Sequence, residues 1–245
     1  MQITRYELAG LKCVEVAPAN AQNSADLPIV VMLHGLGDWG ESYIDFAPAL
    51  SETAYRFVFP TAPIPLQGAL YQWFVFEPSH FLQGVMQARQ RIIELLEALS
   101  ARYQVPTSRI VLSGFSQGAM LTLDVGLHYK DSQGFALGGL AALSGMLVVD
   151  STQAIDFTRG DFSRYYTNTT AETTQELQAA AMGKLPILLI HGTRDLVVPV
   201  SAARESVKLL REAGLTLNYT EFKYAHEITL DTLALIKQFL AETLS

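Results

Sequence analysis

Apolar positions along this chain follow two spacings that alternate from end to end. Short uninterrupted apolar runs give way to longer stretches in which apolar side chains recur every three or four positions. Ile29-Val30-Val31-Met32-Leu33 is the clearest run, and it predicts a strand buried on both faces. Arg56 to Pro60, Arg109 to Ser113, Leu140 to Ser144, Pro186 to Ile190 and residues 216–222 predict further strands. Helical spacing predicts helices over 41–52, 81–102, 117–129, 201–213 and 228–243; in the second, Val85, Ile92, Leu95, Leu96 and Leu99 share one side. Residues 3–9 and 11–16 predict a hairpin turning at Ala9-Gly10. Strands alternating with helices predict an α/β fold, with a mainly parallel central sheet and helices on both faces. No repeat or linker divides the chain, so residues 1–245 are expected to form a single domain.

Composition narrows the class. The 245 residues are 49% hydrophobic and 17% charged, enough to build a large core and too apolar for disorder. A net charge of -7 lacks the basic footprint of a general nucleic-acid binder. Cys13 is the single cysteine, which excludes an intrachain disulfide and a multi-cysteine zinc site. No H-E-x-x-H spacing occurs, so no metal is expected. The first ten residues carry no apolar signal core, and no apolar run reaches the roughly 18 residues a membrane helix needs. The expectation is a cytoplasmic protein without an integral membrane segment.

Chemistry enters at Gly114-Phe115-Ser116-Gln117-Gly118. It follows an apolar strand and precedes a helix, the context required of a G-x-S-x-G nucleophile elbow. A sharp strand-to-helix turn holds such a serine in a strained conformation, and side-chain-free neighbours let the turn close. A serine hydroxyl needs a base. In this fold the triad runs serine, acid, histidine along the chain; of the three histidines after Ser116, His128 falls within the helix expected over 117–129, which leaves His191 and His226. His226 lies in the short loop between the last strand and last helix, where it can hang over the sheet's carboxyl edge, and is the better base. His191 closes a strand and is expected to be structural. Asp195, in the loop after that strand, is the expected carboxylate, with Asp150 the alternative. The amides of Gln117 and of Leu36, in His34-Gly35-Leu36-Gly37-Asp38, are the expected oxyanion donors.

The same stretch spells Gly35-x-Gly37-x-x-Gly40, a dinucleotide fingerprint that brings a nicotinamide or flavin oxidoreductase into view. The fingerprint requires an acid at the end of the next strand. That strand ends Phe59-Pro60-Thr61, so a serine hydrolase without cofactor is the better reading. A hydrolase that has lost activity and serves as a binding module is the other alternative.

HGLGD at 34–38, GFSQGAM at 114–120, HGTRDLVVP at 191–199 and AHE at 225–227 resemble the carboxylesterase/phospholipase group of α/β-hydrolases. Acyl-protein thioesterases and lysophospholipases belong to this group. The resemblance implies a Ser116, Asp195, His226 triad, oxyanion amides at Leu36 and Gln117, and hydrolysis of small-molecule or lipid acyl esters or thioesters without metal or cofactor. The family's usual Trp-Phe-Asp stretch is here Trp73-Phe74-Val75, and Met146 stands where an aromatic residue is common. Trp73, Phe74, Met146 and Val198 are therefore the expected substrate-binding residues. The aromatic-rich loop 61–82 is expected to be either a lid or acyl wall, or plain packing on the core. Segment 147–184, with Tyr165 and Tyr166, is a candidate second flap.

Overall fold

The computed structural model describes residues 1–19, 21, 27–51, 54–77, 79–130, 136–150, 166, 168–182 and 185–244. Eight strands form one sheet: β1 (Gln2–Leu8), β2 (Leu11–Ala17), β3 (Ile29–Leu33), β4 (Arg56–Pro60), β7 (Ile110–Phe115), β8 (Gly139–Leu143), β9 (Ile187–Gly192) and β10 (Asn218–Phe222). Their spatial order is β1-β2-β4-β3-β7-β8-β9-β10. The first two pairings, β1 with β2 and β2 with β4, are antiparallel. From β4 to β10 every pairing is parallel. A separate ribbon pairs β5 (Ile64–Pro65) with β6 (Tyr71–Gln72).

Strand side chains alternate between two cores, one on each face of the sheet. Ile29, Val31 and Leu33 point to one, with Leu112 and Leu189; Val30 and Met32 point to the other, with Phe57 and Ile190. The first core is covered by α2 (Phe81–Tyr103), α3 (Gln117–His128), α4 (Ala171–Ala181) and α5 (Val200–Glu212). The second is covered by α1 (Phe46–Leu50) and α6 (Leu230–Leu244). The five central strands, β3, β4, β7, β8 and β9, are buried almost throughout, which is why they read as mainly apolar runs. Cys13 lies buried in β2, and burial pushes its thiol pKa up to about 12.

Two expectations are corrected. The helix expected over 41–52 is a 3-10 turn, Gly40–Tyr43, followed by the short α1. Pro48 sits at the third position of α1, where the missing N–H has no intrahelical role, so it is tolerated only if the helix starts close by. The proline-rich stretch 61–80 is not all loop, because it holds the β5–β6 ribbon, tied to the core by the Asp38–Tyr71 bridge. Of the candidate flap 147–184, residues 151–165, 167 and 183–184 lie outside the described residues, Tyr165 among them. The described remainder includes α4 and a buried Tyr166.

The glycines of the elbow are forced by close backbone approach. A Cβ on Gly118 would overlap the carbonyl oxygens of Leu33 and His34, so α3 can lie against the end of β3 only with glycine there. We predict that Gly118→Ala destabilises the protein by roughly 3 kcal/mol or more, since the overlap is with backbone that cannot rotate away. Gly68, with φ +79 and open space around it, should cost only about 1 to 2 kcal/mol as alanine, from backbone conformation alone. Urea unfolding of the two variants measures the contrast; equal losses would contradict it.

Candidate active site

β7 delivers its last residues into a turn that no ordinary backbone makes. Ser116 has φ 55 and ψ -117, a region that L side chains rarely occupy. The turn is held from both sides: Ser116 N–H donates to the Leu143 carbonyl at 2.9 Å, and the Ser116 carbonyl accepts from Ala119 and Met120 N–H at 3.0 and 3.1 Å. Gly114 and Gly118 close the turn, since a Cβ on Gly114 would overlap the Gly118 carbonyl. The result is a serine at the carboxyl edge of the sheet and at the start of α3, 7% exposed.

The parallel pair β9–β10 sets two loops side by side, stitched by Thr193 N–H to the Phe222 carbonyl and Arg194 N–H to the Tyr224 carbonyl. One loop carries Asp195 and the other His226. Asp195 Oδ1 accepts from the amides of Val197 and Val198, both at 2.9 Å. Its Oδ2 accepts from His226 Nδ1 at 2.7 Å. A carboxylate can only accept, so the imidazole proton sits on Nδ1 and Nε2 is left basic. Burial works to raise the pKa of Asp195. The His226 hydrogen bond and the two amides outweigh it and hold the carboxyl below its usual range. The Asp195 side chain is fully buried, while the imidazole remains 16% exposed. That imidazole lies on the ring of Phe115, next to the serine in the chain, with centroids 4.7 Å apart. The structure thus joins Asp195 to His226 by a hydrogen bond and packs that imidazole on Phe115, the residue before Ser116. Asp150, the alternative acid, is an exposed residue whose carbonyl accepts from Thr170 N–H.

Loop 34–38 packs on the elbow: a Cβ on Gly35 would lie 3.4 Å from that of Ser116. Gly35 N–H donates to the Tyr43 hydroxyl at 3.4 Å and Gly37 N–H to the Tyr71 carbonyl at 2.9 Å. The Leu36 amide between them donates to none of the described residues, and neither does the Gln117 amide at the head of α3. Gly37 needs its φ of +80, and Gly40 packs directly on the Phe59 carbonyl. These glycines close a loop against β4, and the turn that follows is too short to present a dinucleotide-binding helix N-terminus.

Trp73, Phe74, Met146 and Val198, expected to bind substrate, are each at most 2% exposed and lie inside the core. The Trp73 indole N–H donates to the His34 carbonyl at 2.9 Å, which fixes the ring inward. Apolar surface near the site belongs instead to Leu36, 48% exposed, and to Leu196 and Val197, at 93% and 59%.

Two buried histidines steady these loops. His34 Nδ1 donates to the Gly35 carbonyl at 2.7 Å, and Nε2 accepts from Ala62 N–H at 2.9 Å. His191 carries the opposite tautomer. Its Nε2 donates to the Val198 carbonyl at 2.8 Å, while Nδ1 has no partner among the described residues. Burial lowers the pKa of both. The sequence marks each with a His-Gly pair ending a strand; it carries no signal for the ring contacts of His34 or for the Tyr43 hydroxyl.

With this geometry established, likeness to known proteins can be weighed. The family profile described as phospholipase/carboxylesterase matches residues 13–160. A profile described as the prolyl oligopeptidase family matches residues 87–240, overlapping the first over 87–160. Acyl-protein thioesterase 1 of Schizosaccharomyces pombe is 28% identical over 213 residues, 82% of each chain. A rice protein named a probable inactive carboxylesterase is 30% identical over 207 residues, 78% of this chain and 74% of its own. The crystal structure of esterase PE8 superposes with a TM-score of 0.72 at 26% identity, covering 100% of both chains. The chain belongs to the phospholipase/carboxylesterase family and has the α/β-hydrolase fold.

The lowered pKa values of His34 and His191 fix the sign of a pH effect. Both are neutral in the folded state, and the unfolded chain takes up their protons below about pH 6.5. Their contribution to stability is complete above that pH and is lost as pH falls toward the folded-state values. We predict that the thermal unfolding midpoint drops as pH falls from about 6.5 to 5, and that His191→Asn flattens the drop while lowering stability at neutral pH. An unchanged slope in that variant would contradict the assignment.

Proposed function

We propose that the protein hydrolyses carboxylic esters or thioesters through a covalent acyl-enzyme, with Ser116 as nucleophile, His226 as base and Asp195 as orienting carboxylate. The reading is carried by one observation. The strained serine after β7 and the hydrogen-bonded Asp195 and His226 after β9 and β10 all follow the carboxyl ends of strands in one parallel run, and the imidazole packs on Phe115, the residue before the serine. Membership in the phospholipase/carboxylesterase family, and relatives named acyl-protein thioesterase and esterase, support the same chemistry.

The steps follow from the placement of protons. Ser116 Oγ bonds to the acyl carbon as its proton passes to His226 Nε2. The carbonyl oxygen becomes an oxyanion and takes the free amides of Leu36 and Gln117, an interaction typically worth about 3 kcal/mol per donor. The carbon–oxygen or carbon–sulfur bond to the leaving group breaks, and His226 returns the proton to the departing alcohol or thiol. Water then attacks the acyl-serine, giving a proton to His226; the acyl–Oγ bond breaks with release of the acid as His226 passes that proton to Ser116 Oγ. Throughout, Asp195 holds the Nδ1–H tautomer and stabilises the imidazolium. The acyl chain rests against Leu36, Leu196 and Val197, the exposed apolar residues of the loops bearing the site.

The substrate in this proposal is a small-molecule or lipid acyl ester or thioester. No described helix is long and apolar enough to cross a membrane. A cytoplasmic setting is part of the same proposal.

Hydrolysis of p-nitrophenyl esters from acetate to palmitate, by wild type and Ser116→Ala, tests it. We predict turnover by wild type and a loss of at least about 1,000-fold in the variant, with folding retained. Rates falling with chain length point to small esters, and rates rising with it to lipid or acyl-protein esters. Full activity in Ser116→Ala would overturn the assignment, and a folded wild type inert at every length would favour the binding-module alternative.

A further inference from the structure

The side chain of Gln117 does something its position in the motif does not require. Its backbone N–H is one of the two proposed oxyanion donors, and that donor is present whatever side chain is attached. The carboxamide, only 1% exposed with the rest of the residue, reaches away from the serine to a different part of the chain. Gln117 Oε1 accepts from Trp73 N–H at 2.8 Å. Gln117 Nε2 donates to the Phe74 carbonyl at 2.7 Å. The amide orientation is fixed by its partners, since Trp73 N–H can only donate and the Phe74 carbonyl can only accept. The carboxamide thus holds the backbone at two successive residues, Trp73 and Phe74.

What Gln117 holds is the segment that holds the other donor. Trp73 Nε1–H donates to the His34 carbonyl at 2.9 Å, and its ring lies 5.1 Å from the His34 imidazole. Tyr71, two residues earlier, takes the Gly37 amide at 2.9 Å and forms an isolated bridge with Asp38. Leu36 therefore sits in a loop gripped on both sides by residues 71–73. Phe74 is fixed from beyond by α2, where Gly84 allows close approach, a Cβ there lying 3.2 Å from the Phe74 Cβ. A continuous set of hydrogen bonds runs from the Gln117 carboxamide through Trp73 to the strand end that bears the Leu36 amide.

We propose that the Gln117 carboxamide is a positioning element that sets the distance between the two oxyanion amides, linking the donor on α3 to the donor on the β3 loop through Trp73. This rests on the proposed role of the Leu36 and Gln117 amides. The link matters because the two donors stand on separate elements and their target is a tetrahedral oxygen that exists only in the transition state. Misplacement by a fraction of an ångström weakens both hydrogen bonds to that oxygen while leaving ground-state contacts nearly unchanged.

Gln117→Met keeps the backbone amide and roughly the volume but removes both side-chain hydrogen bonds. Trp73→Phe keeps the Gln117 bonds, removes the bond to the His34 carbonyl and leaves a smaller ring in the same buried place. Both variants are to be assayed on a p-nitrophenyl ester that the wild type turns over, alongside Ser116→Ala, with thermal unfolding to establish folding and a trifluoromethyl ketone as transition-state analogue. The expected result for each folded variant is a kcat lowered about 10- to 100-fold, a KM within about twofold of wild type, and a matching loss of affinity for the ketone. A folded Gln117→Met or Trp73→Phe with wild-type kcat and ketone affinity overturns the link, as does a change confined to KM. If one variant fails to fold, the other decides. Loss of activity in Ser116→Ala with both link variants at wild-type rates rejects this inference and leaves the esterase proposal standing. Retained activity in Ser116→Ala rejects the esterase proposal itself.

Discussion

Everything at the candidate site depends on the absence of room around the elbow. The end of β3, the turn at Ser116 and the first turn of α3 approach so closely that Gly114 and Gly118 cannot carry a Cβ. A serine at φ 55 costs of order 1 to 3 kcal/mol in backbone strain. It persists because the bonds to the Leu143 carbonyl and from Ala119 and Met120 over-determine the turn. The hydroxyl is thereby fixed by the central sheet, the most rigid part of the molecule. The loops bearing Asp195, His226 and Leu36 are then arranged around it.

Two of those loops share a device. His34-Gly35 follows β3 and His191-Gly192 ends β9, and each histidine is buried, neutral and bonded to backbone. His34 ties loop 34–38 to Ala62, across to the chain leaving β4. His191 ties β9 to the Val198 carbonyl and so closes the turn in which Val197 and Val198 amides grip Asp195. The two use opposite tautomers, because one meets an amide and the other a carbonyl. A protonated ring would leave a donor facing a donor at His34, or an unpaired N–H in the core at His191.

The fold was legible wherever burial was complete. β3, β4, β7, β8 and β9 are buried on both faces, so their sequences are mostly apolar, broken only by the buried Arg56, Ser113 and His191. Ser116, Asp195 and His226 stood out for a different reason, since their chain order and their positions after strands follow from the topology. Less was legible where tertiary contact outranks local pattern. Pro48 placed the start of α1, and the ribbon of Ile64–Pro65 with Tyr71–Gln72 is too short for any periodicity to mark. Trp73 and Phe74 lie in an aromatic-rich loop and suggest a pocket wall, yet their hydrogen bonds to His34 and Gln117 turn them inward. Those bonds join residues 39 to 44 positions apart, and no single-chain spacing announces them.

The account stands on Ser116 as a nucleophile activated by His226. Its most direct measurement is the mass of the intact protein after exposure to a fluorophosphonate, followed by mapping of the modified peptide. The account predicts a single adduct on Ser116 in wild type, slowed strongly in His226→Ala and absent in Ser116→Ala. An unmodified, folded wild type, or an adduct on another residue with Ser116 intact, would contradict it.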